Sequence, residues 1–305
     1  MDNDAARGPF TTDGAIVVGV DGTDVDQTCM TWAAGEATRT HRCLVVVHAL
    51  PAFGDLLAAN VLGSPYDLDV VEPELRESPV VGRAIGVALR AFPDVVVTGQ
   101  AVLGRPEQIL IEASEDAYLV VVGSKPRRGL ARLALGRTAH ATTAHCACPV
   151  VVIREGARIG ADGPVLVATD GSAGSRAAVE RAAAEAVERT TGLVVLTTWF
   201  LEMVDGYVVT TPGTDDWNQI EQRYRSLVDG DVAAARRAHP DLQIEVRVER
   251  GPTAPTVVAA AADVDLLVIG SRGRGGFRGM LLGSVSQQVV ESADCPVMVV
   301  RTPRD

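Results

Sequence analysis

The stretch best suited to chemistry reads LLVIGSRGRGGFRGMLLGSVSQQV, residues 266–289. An apolar run ends at Gly270, six glycines fall between positions 270 and 283 with Arg272, Arg274 and Arg278 among them, and helical spacing resumes at Ser284. Glycines let backbone amides turn toward a ligand at close range. A helix start at Gly283 and Ser284 adds unpaired amides and the positive end of a dipole, with Ser284 as its natural cap. Amides and guanidinium groups gathered in this way suit phosphate. Asp170, in VATDGS, closes another apolar run. Alone it is a turn former, but near a phosphate loop its carboxylate can accept protons from ribose hydroxyls or an adenine amino group.

Other constellations are weaker. His140, His145, Cys146 and Cys148 fall within nine residues, but they span a helix end and have no second ligand pair as zinc sites do. Gly273, Gly275 and Gly276 lack the complete dinucleotide spacing. Lys125 is the one lysine and Gly-Lys never occurs, which excludes a Walker A loop. His48 stands at a strand end, within reach of a first-copy site or structural. His239 precedes Pro240 at a helix end far from the phosphate loop.

These residues sit in a repeat. Residues 15–27 resemble 164–176, 103–124 resemble 250–271, and 148–154 resemble 295–301, at offsets of 149, 147 and 147. Two copies of one unit of about 140 residues follow, assigned to 1–157 and 158–305 with a short linker near EGARIGADG. In each copy β-branched apolar runs alternate with helically spaced segments. The first gives strands near 15–20, 43–50, 94–101, 118–123 and 149–154, with helices near 24–40, 72–91, 106–116 and 138–146. The second gives strands near 165–169, 193–199, 242–249, 265–270 and 296–301, with helices near 174–190, 216–238, 253–262 and 284–293. Runs such as VVV and LLVI lack the alternation of a one-sided sheet, so helices must cover both faces. That makes each copy a doubly wound α/β domain with a parallel sheet, and ligands bind such sheets beyond the strands' carboxyl ends. Segments 51–71 and 200–215 break the rhythm and read as packed irregular connections, lids or oligomer contacts.

Composition narrows the function. The 305 residues carry a formal charge of −11, split −6 and −5 between the copies. An acidic surface repels nucleic-acid phosphates and anionic membranes. No apolar run reaches the roughly 18 residues of a membrane span, and the opening lacks a secretory signal, so a cytoplasmic protein is expected. Five cysteines suit free, mostly buried thiols.

Gly270, Gly273, Gly283 and Ser284, with nine residues between the last two glycines, match the ATP-binding signature of the universal stress protein family. VATDGS and CPVMVV are also similar to that family, and the fused copies resemble its tandem actinobacterial members. The resemblance implies two open five-stranded parallel sheets of order 3-2-1-4-5, with ATP, with or without Mg²⁺, across strands one and four. In the second copy it implies that Asp170 contacts adenosine, that Ala168 and Thr169 line its bed, and that Gly270, Gly273, Gly283 and Ser284 cradle phosphates beside Val285 and Ser286. In the first copy it assigns Gly19, Asp21, Gly123, Gly136, Arg137 and Thr138. There Pro126 replaces the second glycine and Arg137 the serine, which moves the expected cap to Thr138. Lys125, Arg127, Arg128, Arg132 and Arg137 offset the loss with charge. The resemblance further implies paired last strands, copies packed together and a homodimer. The expected function is an ATP-dependent stress and growth sensor with little or no hydrolysis and no catalytic residue. The rival reading is a slow ATPase or adenylyl-transferring enzyme of the same architecture.

Overall fold

Valine and isoleucine crowd the strands because branched side chains pack well on a pleated surface buried on both sides. The computed structural model describes residues 12–50, 78–125, 135–160, 162–200, 203–204, 207–208, 211–273 and 282–301. The chain separates into two compact units, Met1–Glu155 and Gly156–Asp305.

The first unit runs β1 (Ile16–Val20), α1 (Val25–Thr40), β2 (Leu44–Leu50), α2 (Pro79–Ala91), β3 (Val97–Leu103), α3 (Pro106–Ala113), β4 (Leu119–Ser124), α4 (Arg137–His145) and β5 (Val150–Arg154). β1 pairs in parallel with β2 and β4, β2 with β3, and β4 with β5, which gives the order 3-2-1-4-5. Helices α1 and α2 pack together on one face, α3 and α4 on the other. Leu44 and Leu119 are fully buried between these layers, and each such leucine contributes about 2 kcal/mol of burial free energy.

The second unit repeats the pattern with β6 (Val165–Ala168), α5 (Ala173–Glu188), β7 (Leu193–Trp199), the short pair β8 (Met203–Val204) and β9 (Tyr207–Val208), α6 (Asp215–Ala238), β10 (Ile244–Arg250), α7 (Thr253–Ala260), β11 (Leu266–Gly270), α8 (Ser284–Ser292) and β12 (Val297–Val300). Its five long strands are parallel in the order β10-β7-β6-β11-β12. Its helices again pair as α5 with α6 and α7 with α8. β8 and β9, antiparallel to one another, fall inside the expected 200–215 connection. Segment 51–71 lies outside the described residues.

Local chemistry explains the boundaries. Ser78, with Pro79 at the first helical position, accepts the Val81 amide at the start of α2. Ser172 accepts the Ser175 amide for α5, and Thr214 accepts that of Trp217 for α6. Both α1 and α5 stop on a non-glycine residue in the left-handed region, His41 (φ 53°) and Thr190 (φ 51°), while Arg42 and Thr191 donate back to Ala37 and Ala186. β3 starts later than expected. Val95 still donates to the Phe92 carbonyl at 3.2 Å, so the chain is turning there, and Val96 is left 61% exposed.

At the end of β7, Trp199 packs edge to face on Trp217 of α6, centroids 4.8 Å apart at 72°. Ile220, Tyr224 and Val248 complete this cluster, and the Arg250 guanidinium lies 5.6 and 5.5 Å from the two rings. All five cysteines are free; Cys43 is exposed and the others buried. Burial pushes the Cys295 thiol up to about 12. Among the described residues no helix is long and apolar enough to cross a membrane.

Candidate functional site

Parallel strands that diverge at their carboxyl ends open a crevice where the order reverses. Each unit has one there.

The second-unit cleft is a cavity of about 440 Å³. Its floor is Ala168 at the end of β6, Thr169 and Asp170 beyond it, Leu196 and Thr198 of β7, and Ile269 and Gly270 of β11; Thr253 and Val257 of α7, with Gly283 and the first three residues of α8, form its walls. Arg272 and Gly273 stand at its edge. Hydroxyl groups tie the β6–α5 turn together. Ser175 Oγ lies 2.9 Å from both Thr169 Oγ1 and Asp170 Oδ1, the Gly171 amide donates to Thr169 Oγ1, and the Ser172 amide donates to Asp170 Oδ1 at 3.0 Å. Across the floor, Thr198 donates to Thr253 at 3.0 Å.

Two glycines owe their identity to the chain's own packing. A Cβ on Gly273 would stand 2.5 Å from Asp170 Oδ2, and one on Gly174 would stand 2.7 Å from the Arg272 carbonyl. The entrance to the glycine-rich loop is thus pressed against the turn that carries Asp170.

The expected serine cap of α8 is corrected. Gly283 is the N-cap residue, in extended conformation; Ser284 is the first helical residue, and no side chain caps the helix. Tertiary bonding sets this, since Gly283 donates to the Ser271 carbonyl at 2.8 Å and accepts from the Gln287 amide at 2.9 Å. Ser286 Oγ instead donates to the Gly270 carbonyl, pinning the helix to the strand end. The first-turn amides of Ser284, Val285 and Ser286 therefore have no intrahelical acceptor and no capping hydroxyl.

The first-unit cleft, about 380 Å³, is built from the matching positions: Gly19 to Asp21 at the end of β1, Val47 and Ala49 of β2, Pro106 and Leu110 of α3, Val122 to Lys125 at the end of β4, and Gly136 to Ala139 at the start of α4. The expected shift of the cap to Thr138 is also corrected. Gly136 is the N-cap and accepts the His140 amide at 2.9 Å; Arg137 and Thr138 are the first two helical residues. Arg137 lies 3.4 Å from Glu107 with its side chain 72% exposed.

The first turn is organised by carboxylates. Asp26 accepts the amides of Asp21, Gly22 and Thr23 at 3.2, 2.7 and 3.1 Å, and Asp21 accepts from the Thr23 amide and hydroxyl. Burial pushes the Asp26 carboxyl above its ordinary range, Asp21 adds to this, and the turn amides oppose it.

All of the expected site residues, from Gly19 to Ser286, line one of the two clefts. Pro126, Arg127, Arg128, Arg132, Arg274 and Arg278 lie outside the described residues. His48 does not join the first site: its Nδ1 faces Ser78 Oγ at 3.1 Å, on the α2 side of the sheet. His239 lies at the C-cap of α6, beside a separate cavity at the amino ends of β7 and β10. Cys146 Sγ points to the Leu110 carbonyl and Cys148 Sγ to that of Pro149. Asp26, Ser175, Thr198 and Thr253 were not expected. Alignment of the two copies would have exposed the first pair, which share a position but not a charge.

The profile of the universal stress protein family matches residues 14–154 and again 163–301. Over 300 residues the chain is 33% identical to a universal stress protein of Mycolicibacterium smegmatis, across 95% of this chain and 98% of that one. A universal stress protein of Mycobacterium tuberculosis H37Rv is 33% identical over 293 residues, 94% of this chain and 96% of its own. Among solved structures, a universal stress protein from Archaeoglobus fulgidus shares the fold with a TM-score of 0.65 at 19% identity, over 95% of this chain and 97% of that one.

Proposed function

The chain belongs to the universal stress protein family, and from that premise we propose that its two domains, 1–157 and 158–305, each bind ATP and serve as a nucleotide-dependent sensor in stress and growth control. One observation carries the reading: α8 begins uncapped at the wall of a cavity whose floor carries Asp170. Cavities of several hundred Å³ are the size that small-molecule ligands fill. The free amides of Ser284, Val285 and Ser286 donate to phosphate oxygens, and the helix dipole favours their charge. Asp170 presents a carboxylate acceptor to a ribose hydroxyl or the adenine amino group, while Leu196, Val257 and Ile269 offer apolar surface to the base. Arg272 adds a cation at the phosphate end, where Mg²⁺ would accompany the triphosphate.

The reading is of binding, with little turnover. Asp170 is the carboxylate among the described residues lining the second cleft, and it is tied to Ser172 and Ser175 rather than free to activate water. We further propose a cytoplasmic homodimer that does not bind nucleic acid, in keeping with its net charge of −11. Mass spectrometry of ligand released from freshly purified protein, followed by calorimetric titration with ATP, tests the nucleotide reading. Two ATP per chain is the expected result; an intact protein that binds none overturns it. Steady-state phosphate or pyrophosphate release above about one per second, the low end of ordinary turnover, would replace the sensor with an enzyme.

A further inference from the structure

The two turns differ in charge at the third and fifth residues after the strand-end aspartate, Asp24 and Asp26 in the first unit against Ala173 and Ser175 in the second, and of these the fifth lines the cleft in both units. Ser175 brings a neutral hydroxyl to Thr169 and Asp170. Asp26 brings a carboxylate, on which three consecutive amides converge. Such a ring of amides is the kind of concavity that elsewhere receives a ligand's anionic group. In this turn the protein supplies the anion itself, and both Asp26 and Asp21 face the cavity.

We propose that Asp26 is the specificity-determining residue of the first cleft: its charge, beside that of Asp21, discriminates against polyphosphate nucleotides and makes their entry proton-linked, whereas Ser175 leaves the second cleft without that dependence. The proposal rests on the clefts being nucleotide sites.

Charged groups approach Asp26 from several elements. Asp21 lies in its own turn, Lys125 follows β4, and Arg137, paired with Glu107 of α3, opens α4. From α2 the Arg83 guanidinium reaches 3.7 Å from where a Cβ on Gly22 would stand. The Cys29 thiol, further along α1, is buried and its ionisation is pushed up. Among the described residues none of these cations forms an ion pair with Asp26, so its charge is met by amides alone. Partial burial already favours its protonated form. An arriving polyanion favours that form further, so the complex holds the proton to higher pH than the free protein does. Affinity is therefore greatest below the titration of free Asp26 and falls as pH rises through the window up to that of the complex. ATP's own titration is common to both clefts and cancels when they are compared.

The test uses the full chain with the second cleft silenced by Ser284→Glu, titrated with ATP at a series of pH values from the lowest at which the chain stays folded to a higher pH on the alkaline side of neutrality. The first cleft is expected to lose about tenfold more affinity across that range than the second cleft does, when the second is measured with Arg137→Glu silencing the first. Asp26→Asn keeps an acceptor for the turn amides without the charge; it should tighten the first cleft about tenfold at the higher pH and abolish the excess. Asp26→Ser, which copies the second turn, replaces it if the asparagine variant melts early. Ser175→Asp should import the dependence into the second cleft, and calorimetry in buffers of different ionisation enthalpy should register proton uptake there. ATP in the second cleft, with neither Asp26 variant tightening the first or changing its pH profile, overturns the role of Asp26 and leaves the nucleotide reading standing. No ATP in either cleft overturns both.

Discussion

The two clefts share a scaffold and differ in how their turns are held. Strand ends, the leading aspartate and the glycine that starts the final helix recur at matched positions, 21 with 170 and 136 with 283. The first turn closes on a carboxylate, the second on a chain of hydroxyls. At the next matched place the first unit has Val25, whose side chain crowds Gly123, and the second has Gly174, against which the Arg272 carbonyl presses. Backbone topology thus fixes where each cleft opens. Side chains added to that frame set the charge each cleft presents.

Reversing the charge at a helix start should separate the clefts most sharply. Ser284→Glu places a carboxylate where α8 offers its amides and should weaken ATP in the second cleft about a hundredfold, leaving the first unchanged, by two-site calorimetry. An equal loss in both would show that the clefts do not act independently. Next in size, Gly174→Ala drives a Cβ into a backbone carbonyl and should destabilise the second unit by about 2 kcal/mol in urea unfolding. Val25→Ala, at the matched position, removes two methyl groups and should cost the first unit about 1 to 1.5 kcal/mol. Asp170→Ala and Asp21→Ala should each weaken ATP about tenfold in their own cleft only, the loss of one bond to a charged acceptor. One ATP per chain, unchanged by Asp21→Ala, would remove the first cleft from the account. The smallest effect concerns both units equally: His41→Gly and Thr190→Gly relieve a left-handed backbone and should each raise stability by about 0.5 kcal/mol.

Much of this is written in the chain. Fully buried strands leave long apolar runs, so their number and parallel character could be read without coordinates, and the repeat doubled the signal. Both strand-end aspartates and both helix-start glycines were legible because turn chemistry is local. The caps were not. A serine at a helix start resembles a cap, but Gly283 holds the position through its bond to Ser271, a tertiary constraint with no local signature. β3 was misplaced at its start because Val95, a β-former, closes a turn on Phe92 and regular pairing begins only at Val97. His48 illustrates the opposite case. Strand alternation puts it on the face opposite Val47 and Ala49, so its distance from the cleft was available from the period alone.

The edge-to-face indoles of Trp199 and Trp217 have an optical consequence. Trp32 stands in the other unit, so the chain's three tryptophans divide into a pair and a single chromophore. Transition dipoles so close and so steeply inclined couple, so the pair should give an exciton couplet on the strong far-ultraviolet indole band. Trp199 follows Thr198, a residue of the cleft floor, in the same strand. That couplet belongs to the second unit alone, and its loss on heating should mark the melting of that half of the molecule.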